Sequence, residues 1–567
     1  MNMRLPVGAD IFEDVRKQGC YYVDKTGFIK NLLENRATVN LFTRPRRFGK
    51  TLNMTMLKAF FEIEADSRAI FNGLDIMKEP DVCARFMNRH PVIFLSMKSV
   101  VGKSFADALA RVASLISFEC DRFSFLTESK QATSRDKQIL GGLLARSAPK
   151  DQLEDSLKFL SRMLWKHYGE KAVLLVDEYD APLDKAFANG YYDEMVDFMR
   201  VFFGEALKTN DTLEFAVVTG CLRIAKESIF TGVNNLAVNA ITDSDPDYDE
   251  GFGFTDKEVR KMLVDYNLLF AYDELRDWYN GYVFGNASIY CPWDIVSHVA
   301  KLKKNPEAKP KAYWNNTSAN DLVRRFVDKA DATTRMDIES LIAGGPVLKH
   351  VNDTLTYGEL DRSIDNLWSV LFLTGYLTKT RTPADLPSEP VELVVPNLEV
   401  REIFMEKIRD WFSEKINTVK TQEELKRLYR AFLDGDGETI ENVLQNQLSA
   451  TISYFDNYEN YYHGFLTGLL LGCGDWSVKS NRESGGGRSD LLVAACGEQT
   501  GLVVEVKRAE AKANMPAMCE AALKQAEEND YKDAFLASGV KHVRLYGIAF
   551  WKKTCMVKTN SSTMAIV

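Results

Sequence analysis

The stretch VNLFTRPRRFGKTLNMTMLKAFF, residues 39–61, joins an apolar run to a helical pattern through a basic loop. VNLF (39–42) is typical of a short buried strand, and the apolar spacing from residue 50 onward predicts a helix. Between them, Gly49, Lys50 and Thr51 complete the second half of the phosphate-binding pattern GxxxxGK[ST], whose first position here is Arg44. Because a helix N-terminus presents free N–H groups and a positive dipole end, this strand–loop–helix predicts a nucleotide site.

The residue types of the loop suggest separate roles in binding ATP. We expect Lys50 to reach the β- and γ-phosphates and the Thr51 hydroxyl to bind Mg²⁺. Arg46 and Arg47 add positive charge, and Phe48 completes the loop before Gly49. The alternative is a basic loop that opens an ordinary helix.

The segment VLLVDEYD (173–180) is a buried apolar run that ends in carboxylates, as in a Walker B element. Asp177 is predicted to hold the Mg²⁺ shell, and Glu178 is predicted to activate the attacking water as a general base. An ordinary strand that ends in a solvated acidic turn would show the same pattern.

A further apolar run ends in VVTG (217–220) and is followed by CLRIAK (221–226). Thr219 at this strand end is a candidate sensor of the γ-phosphate, and Arg223 is a candidate stabiliser of transition-state charge. A surface arginine near a helix start is the simpler interpretation of Arg223.

Continuous apolar runs that alternate with helical patterns predict a parallel sheet covered by helices on both faces. The runs are VNLF (39–42), PVIFLSM (91–97), AVLLVDE (172–178) and EFAVVTG (214–220). The fold class is therefore α/β, with a P-loop domain predicted over residues 1–300.

The composition limits the classes of protein to which the chain can belong. The chain has 567 residues, 46% hydrophobic and 27% charged, with a net charge of −9. The charge argues against a protein coated with basic residues for non-specific nucleic-acid binding, although a local basic groove remains compatible with it. Nine scattered cysteines without a CxxC pair disfavour zinc. No signal peptide or membrane span is expected, so we predict a cytoplasmic protein.

Near the C-terminus, Asp490 opens one predicted strand, DLLVAAC (490–496), and Glu505 and Lys507 close the next, GLVVEVK (501–507). Residues two apart in a strand share a face, so Glu505 and Lys507 project together and Asp490 can join them. Two carboxylates and a main-chain carbonyl suit Mg²⁺, with Mn²⁺ as a substitute. Lys507 would orient water or stabilise charge on a phosphodiester.

The order α-β-β-β-α-β over residues 448–567 and the pattern SD-x14-ExK resemble the PD-(D/E)XK nucleases. Gln525 in the next helix resembles that family's helix position, and Glu459 on the preceding helix is a candidate third acidic ligand or support. Read alone, ExK is a common pattern, and an edge-strand ion pair would explain it equally well.

Residues 301–447 are predicted to be mainly helical and carry no recognisable chemistry. LWSVLFLTGYLTKT (367–380) resembles the helix-then-strand element of a small winged-helix-like unit.

Four stretches together resemble the AAA-ATPase-like family common in gut Bacteroidetes, in which a C-terminal nuclease domain is frequent. They are RPRRFGKT (44–51), LVDEYDAPL (175–183), TGCLRIAKESIFTGVNNL (219–236) and WYNGYVFG (278–285), and the opening residues 5–26 are similar as well. The resemblance implies an ATP-binding core over roughly residues 1–290, and in that family an arginine-rich loop is usual.

Two function classes follow. In the first, an ATPase controls a Mg²⁺-dependent nuclease that acts on nucleic acid, DNA more than RNA. In the second, ATP is bound but slowly hydrolysed and the nuclease fold is a binding module, which the acidic charge and the missing first glycine favour. A metabolic kinase would leave the second module unexplained, and a homo-oligomer is left open.

Overall fold

The computed structural model describes most of the chain. The described residues are 3–35, 37–208, 210–223, 229–230, 236–314, 323, 326, 329, 332–342, 344–360, 362–380, 389–406, 419–451, 462, 465–467, 469–470, 476–481, 490–495, 499–528, 540–560 and 564–565. The chain forms two compact units, one of residues 1–317 and 346–401 and one of residues 318–345 and 402–567. Across the described ranges, every helix is too short or too polar to cross a lipid bilayer.

The first unit is built on a five-stranded parallel sheet in the order β2-β3-β4-β1-β5. Its strands are β1 Val39–Thr43, β2 Val92–Ser96, β3 Ala172–Asp177, β4 Leu213–Gly220 and β5 Leu236–Asn239. Every residue of β1 and β3 is buried, which is the burial expected when both faces of a parallel sheet are covered. Because the strands run in parallel, their carboxyl ends meet at one edge of the sheet, and ligands of open α/β sheets bind at that edge.

Helices connect and cover these strands. The α-helices of the first unit include Phe12–Lys17, Gly27–Asn35, Lys50–Phe61, Arg68–Phe71, Pro80–Phe86, Phe105–Asp121, Ser134–Leu144, Lys150–Glu154, Ser156–Tyr168, Ala181–Asn189, Tyr192–Leu207, Asp256–Asp265, Tyr272–Tyr279, Pro292–Leu302 and Ile364–Leu373. Short 3-10 turns lie at Asp75–Lys78, Met97–Ser99, Ser124–Glu128, Leu269–Ala271 and Tyr357–Glu359.

Two small antiparallel sheets complete this unit. One has the order β6-β8-β7, with β6 Phe254–Thr255, β7 Tyr282–Phe284 and β8 Ala287–Tyr290. The other has the order β10-β11-β9, with β9 Val347–Lys349, β10 Thr378–Lys379 and β11 Val391–Val394. The helix Ile364–Leu373 followed by β10 confirms the helix-then-strand element predicted for this region.

The second unit carries a mixed sheet in the order β12-β13-β14-β15-β16, with β17 paired to β15. Its strands are β12 Trp476–Asn481, β13 Asp490–Ala495, β14 Thr500–Arg508, β15 His542–Trp551, β16 Thr554–Thr559 and β17 Met564–Ala565. β14 and β15 are parallel, and the other pairs are antiparallel. The helices of this unit include Ala332–Ile342, Val419–Asp434, Gly437–Thr451 and Met515–Glu528, with a 3-10 turn at Lys512–Asn514.

The helix Met515–Glu528 joins the parallel strands and approaches the sheet closely at Gly547 of β15. A Cβ atom on Gly547 would lie 2.4 Å from the Leu523 nitrogen and 2.5 Å from the Cys519 carbonyl oxygen. The Cys519 thiol donates to the Gly547 carbonyl oxygen at 3.0 Å. Only glycine permits this contact, because backbone atoms cannot move aside as side chains do.

The predicted α/β fold is confirmed for both modules, and the strands and helices lie within a few residues of their predicted positions. In the C-terminal module, β12, β13, β14, the helix Met515–Glu528 and β15 follow the predicted order; most of its predicted first helix (456–472) lies outside the described residues. The sequence patterns did not reveal β5, β6, β7, β8, β9, β16 or β17. The division into regions 1–300, 301–447 and 448–567 remains a prediction.

Candidate functional site

The phosphate loop of the first unit runs from the end of β1 to the helix that begins at Lys50. Gly49 precedes this helix with a φ of +83°, in the left-handed region that favours glycine. The first turn of the helix therefore faces the loop with its N–H groups unused by the helix itself, which is the arrangement that binds phosphate.

The loop folds around the ammonium group of Lys50. Nζ donates hydrogen bonds to the carbonyl oxygens of Arg44 and Pro45, both at 2.9 Å, and lies 3.7 Å from Sγ of Cys221. The Lys50 side chain is buried, so its charge is held at the centre of the loop. A cation in this position can neutralise phosphate oxygens that approach the helix N-terminus.

Asp177 joins three elements at the edge of the sheet. Its Oδ2 accepts a hydrogen bond from the Thr51 hydroxyl, and its Oδ1 accepts one from the Thr219 hydroxyl, both at 2.6 Å. The carboxylate at the end of β3 thus contacts the helix after β1 and the end of β4. These three predicted residues come together as an oxygen cluster beside Lys50, which is the chemistry that Mg²⁺ requires.

Glu178 follows Asp177 in a left-handed conformation, with a φ of +52°. Burial raises the pKa of its carboxyl group, the Lys50 ammonium opposes that rise, and Asp177 adds to it. A carboxylate whose pKa is raised is a stronger base toward water. A non-glycine residue in this conformation is frequent at functional sites.

The arginines of the loop lie in different environments. Arg44 is almost fully buried and donates from Nη1 to the carbonyl oxygens of Thr43 and Asn239, both at 2.9 Å, and from Nη2 to Oδ1 of Asn239. Burial lowers the pKa of its guanidinium to about 10. Arg44 stands where the phosphate-binding pattern GxxxxGK[ST] has its first glycine. Its guanidinium links the end of β1 to the end of β5 and is too deeply buried to contact a phosphate.

Arg46 stays partly exposed, and its Nη2 lies 3.6 Å from Oδ2 of Asp184. Arg47 donates from Nη1 to the Tyr313 carbonyl oxygen at 2.7 Å. Its guanidinium carbon lies over the Trp293 ring, 4.9 Å from the ring centre. Phe48 is fully buried, so it can offer a ligand only main-chain atoms. Arg223 lies 3.4 Å from Oδ2 of Asp353, an ion pair of two half-buried side chains.

Asp180 is a residue of this region that sequence reasoning missed. Its Oδ2 accepts hydrogen bonds from the main-chain N–H groups of Cys221 and Leu222, both at 3.0 Å, and the Tyr357 hydroxyl lies 3.4 Å away. Burial raises its pKa. Asp180 thus holds the segment that follows β4; its only signal was a third carboxylate in VDEYD.

In the second unit, strand register brings the predicted nuclease residues together. Asp490 of β13 is the direct cross-strand partner of Glu505 of β14, so the two positions share one face of the sheet. Glu505 is completely buried, and the Lys507 ammonium lies 3.2 Å from its Oε1. The alternation of β14 thus puts Glu505 and Lys507 on one face, as predicted.

The Glu505 carboxylate fits a metal ligand. Within the described residues neither of its oxygens accepts a hydrogen bond, because the nearby Lys507 ammonium is not in hydrogen-bonding geometry. A buried carboxylate is stable only when its charge is compensated. No group of three or more His, Cys, Asp or Glu ligands occurs among the described side chains.

The two supporting candidates have different outcomes. Gln525 lies half-buried on the helix Met515–Glu528, which packs on β14 and β15. Glu459 lies outside the described residues.

Comparison with known protein families finds matches to two separate regions of the chain. Residues 6–230 match the family model described as "Predicted AAA-ATPase", and residues 457–560 match that of the PD-(D/E)XK nuclease superfamily. The chain is also similar to a protein of Azotobacter chroococcum mcd 1 described as "Uncharacterized protein in vnfD 5'region", with 27% identity over 561 residues that cover 96% of each chain.

Proposed function

From a chain that carries a predicted AAA-ATPase domain and a PD-(D/E)XK nuclease superfamily domain, we propose an ATPase that controls a Mg²⁺-dependent nuclease in the cytoplasm. Nucleic acid is the substrate of the nuclease, DNA more than RNA. The observation that carries the proposal is the contact of Thr51 and Thr219 with the two oxygens of Asp177, beside the loop that surrounds Lys50.

At the first site, Lys50 and the N–H groups of the helix Lys50–Phe61 bind the triphosphate. Thr51 and Asp177 hold Mg²⁺, which when bound neutralises charge on the phosphate oxygens. Glu178 accepts a proton from the attacking water, and its raised pKa supports this role. The hydrogen bond from Thr219 to Asp177 supports a role for Thr219 as a sensor of the γ-phosphate.

At the second site, Asp490 and Glu505 hold a divalent ion, which when bound lowers the pKa of a water molecule and polarises the phosphodiester. Lys507 stabilises the negative charge that develops on the phosphate or orients the water. The buried Glu505 carboxylate, which accepts no hydrogen bond from the described residues, supports this assignment.

Coupling of the two activities is supported by their arrangement in one chain. The similarity to the Azotobacter protein extends over 96% of both chains, so it spans both regions of this chain. If the nuclease depends on the nucleotide state of the ATPase, the presence of both domains in one chain keeps them together.

The test is a cleavage screen of DNA and RNA substrates with Mg²⁺ or Mn²⁺, with and without ATP, on the full chain. We expect Asp490→Ala to abolish cleavage while ATP hydrolysis remains, and Lys50→Ala to lose ATP affinity. Glu178→Gln should bind ATP without turnover. Unchanged cleavage by Asp490→Ala would remove the nuclease assignment, and ATP binding without any cleavage by the wild type would favour the nucleotide-gated binding protein.

Self-association has its own signature in the same assay. If a second copy supplied an arginine to the site, ATP turnover per chain would rise with protein concentration, because such a group contributes roughly 10³–10⁵ in rate.

A further inference from the structure

Two acidic side chains meet in the interior of the first unit, away from any described ion pair. Asp294 belongs to the first turn of the helix Pro292–Leu302, and Glu399 follows β11 by several residues. Both side chains are 0% exposed. Fully buried acids are rare unless another group compensates them, so their surroundings matter.

Glu399 uses one oxygen to hold a main-chain segment. Oε1 accepts hydrogen bonds from the N–H groups of Tyr313 and Trp314, the latter at 2.8 Å. Within the described residues, Oε2 of Glu399 and both oxygens of Asp294 receive no well-formed hydrogen bond from a donor group. The Cys291 thiol and the Glu399 carboxyl lie beside Asp294.

A single shared proton accounts for this arrangement. A proton on Oε2 of Glu399 would let this carboxyl group donate to Asp294, and two close carboxyl groups cannot both ionise without strong repulsion. Burial and the Asp294 charge raise the pKa of Glu399 far above its usual range, and burial raises the pKa of Asp294. The titratable groups that face the pair are Arg47, Tyr279, Tyr282, Cys291 and Tyr313.

The segment held by Glu399 leads to the phosphate loop. The Tyr313 carbonyl oxygen accepts the hydrogen bond from the Arg47 guanidinium at 2.7 Å. The same guanidinium stacks on Trp293, and the Cys291 thiol lies 3.8 Å from the Arg47 carbonyl oxygen. Arg47 therefore touches both the segment that Glu399 binds and the helix turn that carries Asp294.

Arg47 needs such support. Its φ of +72° lies in the left-handed region, which a non-glycine residue adopts only where the surroundings impose it. Arg47 precedes Phe48, Gly49 and Lys50 directly, so its conformation determines the direction in which the loop enters the helix.

We propose that Glu399 is a positioning residue of the phosphate loop: it fixes the Tyr313–Trp314 segment, which in turn holds Arg47 in its left-handed conformation. The consequence for ATP rests on the proposed function. The consequence for the loop itself does not, because the contacts join only residues of this chain.

The test compares two substitutions at one buried position. Glu399→Leu introduces an apolar side chain of similar size and leaves the two N–H groups without an acceptor, whereas Glu399→Gln keeps an acceptor and can donate to Asp294. Glu119→Leu is the matched control, since Glu119 is also a buried acid that accepts a main-chain N–H, that of Phe94 in β2. The measurement is hydrogen exchange of the full chain without nucleotide, followed on peptides that cover residues 44–51.

We expect Glu399→Leu to accelerate exchange in residues 44–51 by about tenfold, Glu399→Gln to remain close to the wild type, and Glu119→Leu to leave this segment unchanged. In an ATP-binding titration, Glu399→Leu should weaken affinity by a similar factor, with Glu399→Gln restoring it. Unchanged exchange in a folded Glu399→Leu protein, or equal acceleration by Glu119→Leu, would overturn the inference.

A second variant covers the case in which Glu399→Leu does not fold. Arg47→Met removes the guanidinium at a partly exposed position and should accelerate exchange of the same peptides; normal exchange in this variant also overturns the inference. If the exchange results hold but the wild type does not bind ATP, the proposed function fails and the positioning role stands.

Discussion

Replacing Glu505 by glutamine should make the second unit more stable and at the same time abolish its metal-dependent activity. Glu505 is completely buried, no described group donates a hydrogen bond to it, and Lys507 compensates its charge from 3.2 Å. In the absence of metal the carboxylate is therefore a poorly compensated buried charge. Glutamine has the same shape without the charge.

The magnitude follows from desolvation. Burying an ion costs several kcal/mol even after relaxation, and one ion pair recovers only part of this cost. The Lys507 side chain is 19% exposed, so it can turn its ammonium to water when its partner is gone. We expect Glu505→Gln to stabilise the unit by about 1–2 kcal/mol. That stabilisation should raise its melting temperature by about 3–6 °C.

The assay is calorimetric unfolding of the full chain with and without Mg²⁺ or Mn²⁺, beside a cleavage assay. A metal that binds only the folded state should stabilise the wild type, by about 2.7 kcal/mol at a hundredfold excess over Kd, and should leave Glu505→Gln unaffected. Glu510→Gln, at an exposed position shortly after β14, is the control for loss of one charge. A Glu505→Gln protein that is less stable than the wild type without metal would refute the reasoning.

Three further predictions concern other positions. Asp177→Asn should keep the contacts with both hydroxyl groups but remove the negative charge of the side chain, which should lower the free energy of unfolding by about 1–2 kcal/mol. It should also remove Mg²⁺-dependent ATP binding in calorimetry, and tight binding of the ATP–magnesium complex would contradict this. The pKa of Glu399 is raised in the folded protein, so protonation of this group stabilises the fold fully below its unfolded pKa. As the pH rises toward the folded pKa, this contribution to the free energy of unfolding is lost by up to about 1.4 kcal/mol per pH unit. The melting temperature of Glu399→Gln minus that of the wild type should therefore increase from acidic to alkaline pH, and a flat difference would refute the raised pKa. Gly547→Ala should destabilise the second unit by about 1–3 kcal/mol in denaturant titration, because its Cβ would lie 2.4 Å from the Leu523 nitrogen; a neutral effect would show that helix and sheet can separate.

Much of the fold was predictable because its signals are local. An apolar run such as AVLLVDE (172–178) can be recognised as a strand without knowledge of the strands that pair with it. The structure has β3 at Ala172–Asp177, as this run predicted. β5 was missed because its four residues, LAVN, are too short to stand out, and only the pairing with β1 makes them a strand.

The candidate sites divide in the same way. Lys50, Asp177 and Glu505 were identified from motif and strand position, since spacing along the chain gives each side chain its direction. Asp180 and Glu399 were not identified, because their partners are distant in sequence: Glu399 binds main-chain N–H groups 85 and 86 residues earlier.

The sequence by itself determined which segments form strands and helices and which residue types stand at the strand ends, because these depend on neighbours a few residues apart. Only the tertiary structure decided the strand order, which places β4 between β1 and β3 and so brings Thr219 against Asp177. It also decided that Arg44 is a buried tie between strands. Such outcomes depend on which distant segments bury one another, and burial and pairing across the chain are not contained in local spacing.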